Sequence, residues 1–351
     1  MTEMTGAQAI IKTLKKYGID TIFGLPGVQL DNIFDALYHE DAIRIIHTRH
    51  EQGAGYMAFG YAASTGKTGV CLVVPGPGLL NASAALSTAY ACNTPVLVLA
   101  GQIRSDMIDK GIGLLHEVPN QLGMMESVAK WTASAPSPAD APALVHEAFK
   151  QLQTGRTRPV VLEMAMDIMG QKSEVKITER PHELERPEGD PDLIEKAAKI
   201  LGNAKNPMIY VGGGAQDAAT EVRELAESLQ APVNASISGR GVISDRSYLA
   251  QNRISARELW SKADAVLVVG SRMTGPALMW KWPLEDGRKI VRIDIDPEEM
   301  LARHKAGVKD KELVAWPEVV TRRENPPPKA YLGGFHTTFM KLGRLLSRGL
   351  R

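Results

Sequence analysis

Glu51 is the residue whose surroundings say most about chemistry. It lies in Arg49-His50-Glu51-Gln52-Gly53-Ala54, after the apolar run IRIIH at 43–47 and before GAGYMAFGYAAS, a nearly uncharged stretch that reads as a buried helix. A carboxylate in the first turn of a helix is favoured by the helix dipole, so a capping role accounts for it. A carboxylate at the edge of a buried helix also needs a polar partner, because unpaired burial of charge is costly. A ligand nitrogen can be that partner. Two turns rich in glycine and proline accompany it. Gly24-Leu25-Pro26-Gly27 ends the run TIFGL at 21–25, and Pro75-Gly76-Pro77-Gly78-Leu79-Leu80-Asn81 follows GVCLVV at 69–74. Such turns keep side chains away and let backbone approach a ligand. An ordinary strand-to-helix turn has the same composition, and Asn81 fits a helix cap as well as a ligand contact.

Other candidates are weaker. Gly212-Gly213-Gly214 ends the run MIYVGGG, but no G-x-G-x-x-G spacing follows. Asp294 and Asp296 alternate within KIVRIDID at 289–296, which suits either a ribose or the cap of a following helix. His47, His50 and His116 are scattered, and a lone histidine is more often structural than catalytic. No Cys/His set has zinc spacing, and neither a G-x-S-x-G nor a P-loop sequence occurs.

The elements that must position these residues follow from periodicity. A helical pattern opens the chain through Ala9, Ile10, Leu14 and Tyr17. The runs at 21–25, 43–47, 69–74, 95–101 and 159–165 then alternate with helical patterns, which predicts parallel βαβ units buried on both faces. Residues 171–190 are polar and proline-bearing, and read as a linker. A second block has helices at 191–202 and 217–229 and strands at 208–214, 231–236, 263–270 and 289–296. The expected architecture is therefore α/β, with two doubly wound parallel-sheet domains. Ligands in such sheets bind at the carboxyl ends of the strands, where the turns at Gly27 and Gly78 and residue Glu51 should meet.

In order and spacing, FGLPG, RHEQGA, VVPGPGLLNA and LAGQ resemble the pyrimidine-binding domain of thiamine-diphosphate-dependent enzymes, most closely the acetolactate synthase group. YVGGG, ADAVLVVGSR and RIDID resemble that family's Rossmann-like central domain. The resemblance implies domains at 1–170 and 191–320, the linker at 171–190 between them, and an atypical basic tail at 321–351. It implies that Glu51 is catalytic, hydrogen-bonding the aminopyrimidine ring so that a ring-borne nitrogen can remove the thiazolium proton. Pro26, Gly27, Pro77, Gly78 and Asn81 would line the pyrimidine pocket, and Gln102 would face a 2-oxo acid substrate. Flavin-containing members place FAD against the central domain, and Arg156, Gly212, Gly213, Gly214, Arg272, Asp294 and Asp296 match those positions loosely. A homodimer or tetramer is expected from the family.

The family's third domain carries Gly-Asp-Gly and a later Asn that hold Mg²⁺ and the diphosphate. No Gly-Asp-Gly occurs in these 351 residues, so no metal ligands are assigned. The expectation is an acetolactate synthase-like decarboxylase or carboligase in truncated form, holding the pyrimidine half of the cofactor site and inactive alone. The alternatives are a non-catalytic flavin- or nucleotide-binding module, a partner lending Glu51 to another chain, and an inactive remnant.

Composition bounds these readings. There are 41 basic and 40 acidic residues, a net charge of +1, so no overall field draws the chain to nucleic acid or an acidic membrane. Residues 68–103 lack charge, but Pro75, Pro77 and Pro95 interrupt them, which argues against a membrane span. No secretory signal is evident, and a cytoplasmic location is expected. Cys71 and Cys92 sit in apolar stretches and read as buried, unpaired thiols. Residues 321–351 carry seven basic residues and one acid behind Pro326-Pro327-Pro328. Unlike the domains, this tail is expected to be poorly packed, with an amphipathic helix through Phe335, Phe339, Leu342 and Leu346 as its one regular option.

Overall fold

Short apolar runs bounded by glycine and proline form parallel strands in both halves of the chain. A computed structural model describes residues 1–179, 189–276, 280, 282, 288–296, 313–315 and 342. The chain divides into two units, Met1–Glu183 and Leu184–Arg351.

The first unit runs β1 (Thr2–Thr5), α1 (Gly6–Lys16), β2 (Thr21–Gly24), α2 (Asp31–Tyr38), β3 (Arg44–His47), α3 (Glu51–Thr65), β4 (Gly69–Val73), α4 (Pro77–Cys92) and β5 (Val96–Gln102). It continues with α5 (Gln121–Met125), β6 (Trp131–Ala135), α6 (Ala141–Gln153), β7 (Val160–Ala165), α7 (Met166–Gly170) and β8 (Lys172–Val175). Six strands pair in the order β3-β2-β4-β5-β7-β6, all parallel. Successive side chains of a strand point to opposite faces. Val70, Leu72, Leu97 and Leu99 accordingly pack with Ile10 and Leu14 of α1 and Phe149 of α6. Cys71, Val73, Val96 and Val98 pack with Ala54 and Ala58 of α3 and Leu79 and Leu86 of α4. Helices thus cover both faces, as continuous apolar strands require.

The structure corrects several sequence expectations here. The opening helix expected through Ala9, Ile10 and Leu14 is α1, and an unforeseen strand precedes it: β1 pairs antiparallel with β8, Thr2 opposite Val175 and Thr5 opposite Lys172. Pairing is therefore not purely parallel, and the linker expected from 171 begins as a strand. Met4 and Val175 are its buried residues, too few to produce a readable alternation. α3 is not buried all round, since Tyr56 and Met57 are exposed on it. Cys71 is buried, but Cys92, in the last turn of α4, is exposed.

The second unit runs α8 (Pro191–Gly202), β9 (Pro207–Val211), α9 (Ala219–Leu229), β10 (Val233–Ala235), β11 (Ala250–Gln251), α10 (Arg253–Lys262), β12 (Ala265–Val269), β13 (Lys289–Ile293) and β14 (Leu313–Ala315). Its parallel strands pair in the order β11-β10-β9-β12-β13-β14. Ile209, Val211, Leu267 and Val269 face one core, while Met208, Tyr210, Val266 and Val268 face the other with Trp260. A 3-10 turn at Gly213–Ala218 delays the helix expected from 217. β13 ends at Ile293, so Asp294 and Asp296 follow the strand instead of lying on it. Of the tail at 321–351 only Leu342 is described, and it is fully buried in the second unit's core. The other tail residues lie outside the described residues.

Candidate functional site

In the first sheet the chain leaves β2 for β3 on one side and reaches β4 on the other. Strand order reverses between β2 and β4, and the carboxyl ends of such neighbours open a crevice. The turns Gly24–Gly27 and Pro75–Gly78 leave these two strands. Both press on Val74: a Cβ on Gly27 would lie 2.5 Å from its Cγ1, and one on Gly78 2.5 Å from its Cγ2. Gly76 has φ +54°, in the left-handed region that favours glycine, and a Cβ there would strike the His116 carbonyl at 2.5 Å. Backbone geometry therefore requires glycine at Gly76, while at Gly27 and Gly78 the obstacle is the Val74 side chain.

Glu51 is the first residue of α3, and it does not cap that helix. His50 does: its Nδ1 accepts from the Gln52 N–H at 3.1 Å. The Glu51 carboxylate is instead turned into the crevice wall and is 9% exposed. Its Oε2 accepts from Asn81 Nδ2 at 3.0 Å. Its Oε1 lies 3.4 Å from where a Gly78 Cβ would stand. The Cys71 thiol beneath is pushed up to about 12, by burial first and by the charge of Glu51 second. Glu51, Gly78 and Asn81 are thus brought together, with Gly27 across Val74. Pro26 and Pro77 are exposed on the two turns.

A second buried carboxylate escaped the sequence reading. Glu163, in the middle of β7, is 5% exposed. Its Oε2 accepts from Gln121 Nε2 at 2.8 Å and from Gln102 Nε2 at 3.4 Å. Burial pushes its pKa up, while hydrogen bonds from Gln121, Ser134 and Gln102 hold it back. Gln102 is buried, and its Oε1 accepts from the Ile103 N–H at 2.8 Å. Gln121 reaches further: Nε2 also donates to the Gly101 carbonyl at 3.1 Å, and Oε1 accepts from the Gly76 N–H at 2.6 Å. His116, at φ +70°, places its Nδ1 3.0 Å from Gln29 Oε1. Glu117 binds the loop that carries it, accepting from the N–H groups of Gly111 and Leu114, and these bonds hold its carboxyl low. The signal for Glu163 was its place inside VVLEMA, since an acid in a buried strand needs donors. Gln121 carried no such signal.

The second sheet reverses order between β9 and β12. Gly212–Gly214 leave β9, Arg272 follows β12, and Asp294 and Asp296 follow β13, all toward the carboxyl edge. The glycines serve backbone packing here. A Cβ on Gly212 would lie 2.2 Å from the Gly270 carbonyl, and the Gly214 N–H donates to that carbonyl at 3.2 Å. Asp294 Oδ1 accepts from the Asp296 N–H at 3.1 Å. Arg156 belongs to the first unit, on the loop entering β7 at its amino end. Among the described residues no group of three or more His, Cys, Asp or Glu is placed to hold a metal ion. None of their helices is long and apolar enough to cross a membrane.

Comparison with known proteins gives the family of the chain. The sequence profile described as "Thiamine pyrophosphate enzyme, N-terminal TPP binding domain" matches residues 4–124, and "Thiamine pyrophosphate enzyme, central domain" matches 194–314. The chain is 35% identical over 306 residues to the "Probable 2-ketoarginine decarboxylase AruI" of Pseudomonas aeruginosa, covering 84% of this chain and 54% of that protein. It is 32% identical to a "Probable acetolactate synthase large subunit" of Methanocaldococcus jannaschii, covering 85% and 52%. It is 33% identical to the acetolactate synthase large subunit of Corynebacterium glutamicum, covering 85% and 49%. The chain spans about half the length of these curated relatives. The two profiles together cover more than half of its residues, and the chain belongs, through an N-terminal and a central domain, to the thiamine pyrophosphate enzymes, with acetolactate synthases among its relatives.

Proposed function

We propose that the carboxyl edge of the first sheet is the pyrimidine half of a thiamine diphosphate (thiamine pyrophosphate) site, serving decarboxylation or carboligation of a 2-oxo acid. The observation that carries this reading is the buried Glu51 carboxylate, held by Asn81 and facing the bare Cα of Gly78. A Cβ at Gly78 would strike Val74 Cγ2 at 2.5 Å and touch Glu51 Oε1 at 3.4 Å, so glycine lets the turn, Val74 and the carboxylate close into one wall, which suits a flat ring bearing a hydrogen-bond donor. When bound, the cofactor supplies an electron sink for the carbanion formed on loss of carbon dioxide.

The roles of this chain's residues follow from their chemistry. Glu51 holds a proton or hydrogen bond at a ring nitrogen through Oε1. Asn81 fixes the carboxylate by donating to Oε2, and Val74 offers an apolar wall between the Gly27 and Gly78 turns. Pro26 and Pro77 set the backbone of those turns. Gln102, tied to Glu163, would bear on the substrate through the end of β5.

The diphosphate and Mg²⁺ need hard oxygen ligands. No Gly-Asp-Gly occurs in the 351 residues to supply them, so this half-site is completed by groups outside these two units. A homodimer or tetramer fits the exposed Tyr56 and Met57 of α3 and Leu80 of α4, apolar residues on nearly uncharged helices. FAD remains a second ligand to test, because Gly212–Gly214 and Arg272 leave the two strands that flank the second sheet's reversal point. The discriminating experiment is calorimetric titration of the purified chain with thiamine diphosphate plus Mg²⁺, and separately with FAD. Saturable thiamine diphosphate binding supports the reading. FAD binding alone would replace it with a flavin module, and no thiamine diphosphate binding even at high ligand concentration, where a half-site lacking its diphosphate ligands still fills weakly, would overturn it.

A further inference from the structure

We infer that Glu163 is a positioning residue for the Gly76–Pro77–Gly78 turn, acting through the side chain of Gln121. The argument starts at Gly76. Its φ of +54° and ψ of −114° lie outside the regions that other residues occupy readily, so the turn depends on what holds it. Its N–H donates to the buried Gln121 Oε1 at 2.6 Å.

That oxygen faces Gly76 for a reason. The Gln121 Nε2 has two hydrogens, and two acceptors receive them: the Gly101 carbonyl at 3.1 Å and Glu163 Oε2 at 2.8 Å. A flipped amide would aim its oxygen at two acceptors and its nitrogen at a donor. Glu163 Oε2 enforces this direction by accepting from the amide nitrogen, as the Gly101 carbonyl does beside it.

The same Oε2 receives Gln102 Nε2 at 3.4 Å, and the Gln102 Oε1 takes the Ile103 N–H. One buried acid therefore ties the end of β5 and the start of α5 to the turn that opens α4. Packing gives no reason for an acid within the buried strand VVLEMA, where an apolar residue avoids the desolvation penalty. Two residues beyond Gly76, the bare Cα of Gly78 faces Glu51 Oε1, and one helical turn further Asn81 donates to Glu51 Oε2. The turn thus stands between two buried carboxylates, each bound by side-chain amides. The consequence for ligand affinity rests on the proposed cofactor reading; the consequence for the turn does not.

The test uses the full chain and four variants, with hydrogen exchange at the Gly76 amide, global melting and thiamine diphosphate affinity read together. In Gln121→Leu and Glu163→Leu, Gly76 should exchange faster by about tenfold or more and affinity should fall by about tenfold, beyond any change in amides elsewhere in the first unit. Glu163→Gln keeps a carbonyl that can accept from Gln121 and should restore both readouts to within about threefold of the parent. Gln102→Leu removes the other donor and should leave Gly76 exchange as in the parent. Unchanged Gly76 exchange in the two leucine variants would overturn the inference, as would a loss spread evenly over the unit. If a leucine variant fails to fold, Gln121→Asn, which is too short to span both partners, takes its place with the same expectation. Should the parent bind no thiamine diphosphate, the cofactor reading falls, and the Gly76 exchange result alone decides the role of Glu163.

Discussion

The carboxyl edges of the two sheets are held in different ways. In the first, side-chain amides hold buried acids: Asn81 on Glu51, and Gln102 and Gln121 on Glu163. In the second, backbone meets backbone at Gly212, Gly214 and Gly270, and the Arg292 guanidinium donates to the Ser271 carbonyl at 3.0 Å. Both edges stand at a reversal of strand order, and both are rich in glycine. Among the described residues, only the first has a buried carboxylate within contact distance of a glycine's missing Cβ. A glycine run at a strand end is thus no guide to a ligand by itself; what the missing Cβ makes room for decides. At Gly212 it makes room for another peptide, and at Gly78 for the Val74 side chain, with Glu51 Oε1 in ordinary contact range of the same bare backbone.

The comparison can be broken most directly at its structural pole. Gly212→Ala places a methyl 2.2 Å from a backbone carbonyl that cannot give way as a flexible side chain would. It should cost about 3 kcal/mol of second-unit stability, read by calorimetry. Thiamine diphosphate binding at the first edge should survive at temperatures where the second unit stays folded. A neutral Gly212→Ala would show that the second edge has slack for a ligand after all.

Asn81→Leu tests the other pole. It removes a donor from the buried Glu51 and should cost about 2 kcal/mol, the usual penalty for orphaning a buried polar group. A change below the error of a denaturant titration would mean that Glu51 is solvated and the crevice is wet.

Smaller again is the effect of pH on Glu163. Burial raises its folded pKa above the ordinary 4.5, so the native state binds this proton more tightly than the unfolded chain does. Its contribution is fully present below 4.5 and is lost as pH rises through the raised folded value. Compared with Glu163→Gln, the parent should therefore lose relative stability as pH climbs through that window, and a flat difference would contradict the assignment. Asp20 gives the opposite sign. Lys67 and Tyr61 donate to it at 2.6 Å each, and its pKa falls from 3.8 to about 2. Its stabilising contribution is present above 3.8 and is lost as pH falls toward 2. Because the pair is solvent-exposed, Asp20→Asn should cost only about 0.5 kcal/mol at neutral pH.

Much of this layout was legible in the residues. The five apolar runs of the first unit all became strands; Gly or Pro flanks four of them, and IRIIH at 43–47, which lacks both and carries Arg44, is the edge strand. Glu51 was legible because an acid beside a glycine turn at a predicted carboxyl edge has few bland explanations, and the nearest one, helix capping, belongs to His50. Glu163 was hidden because a single acid does not disturb an apolar pattern such as VVLEMA. Gln121 was hidden because it sits beyond residues 104–120, which have no periodicity, and only tertiary folding brings it to Gly76. β1 and β8 are four residues each, too short for period two to stand out. The exposed face of α3 was invisible because its small and apolar residues surround the helix evenly, so no polar stripe marks the outside.

The most direct test of Glu51 as the centre of a cofactor half-site compares thiamine diphosphate affinity in the parent chain and in Glu51→Gln, at matched folding judged by melting. Glutamine preserves the size of the side chain but brings an amide donor where a carboxylate accepted. The expected result is saturable binding in the parent, weakened by about tenfold or more in Glu51→Gln while the melting temperature holds. Equal affinity in the two proteins would contradict the assignment.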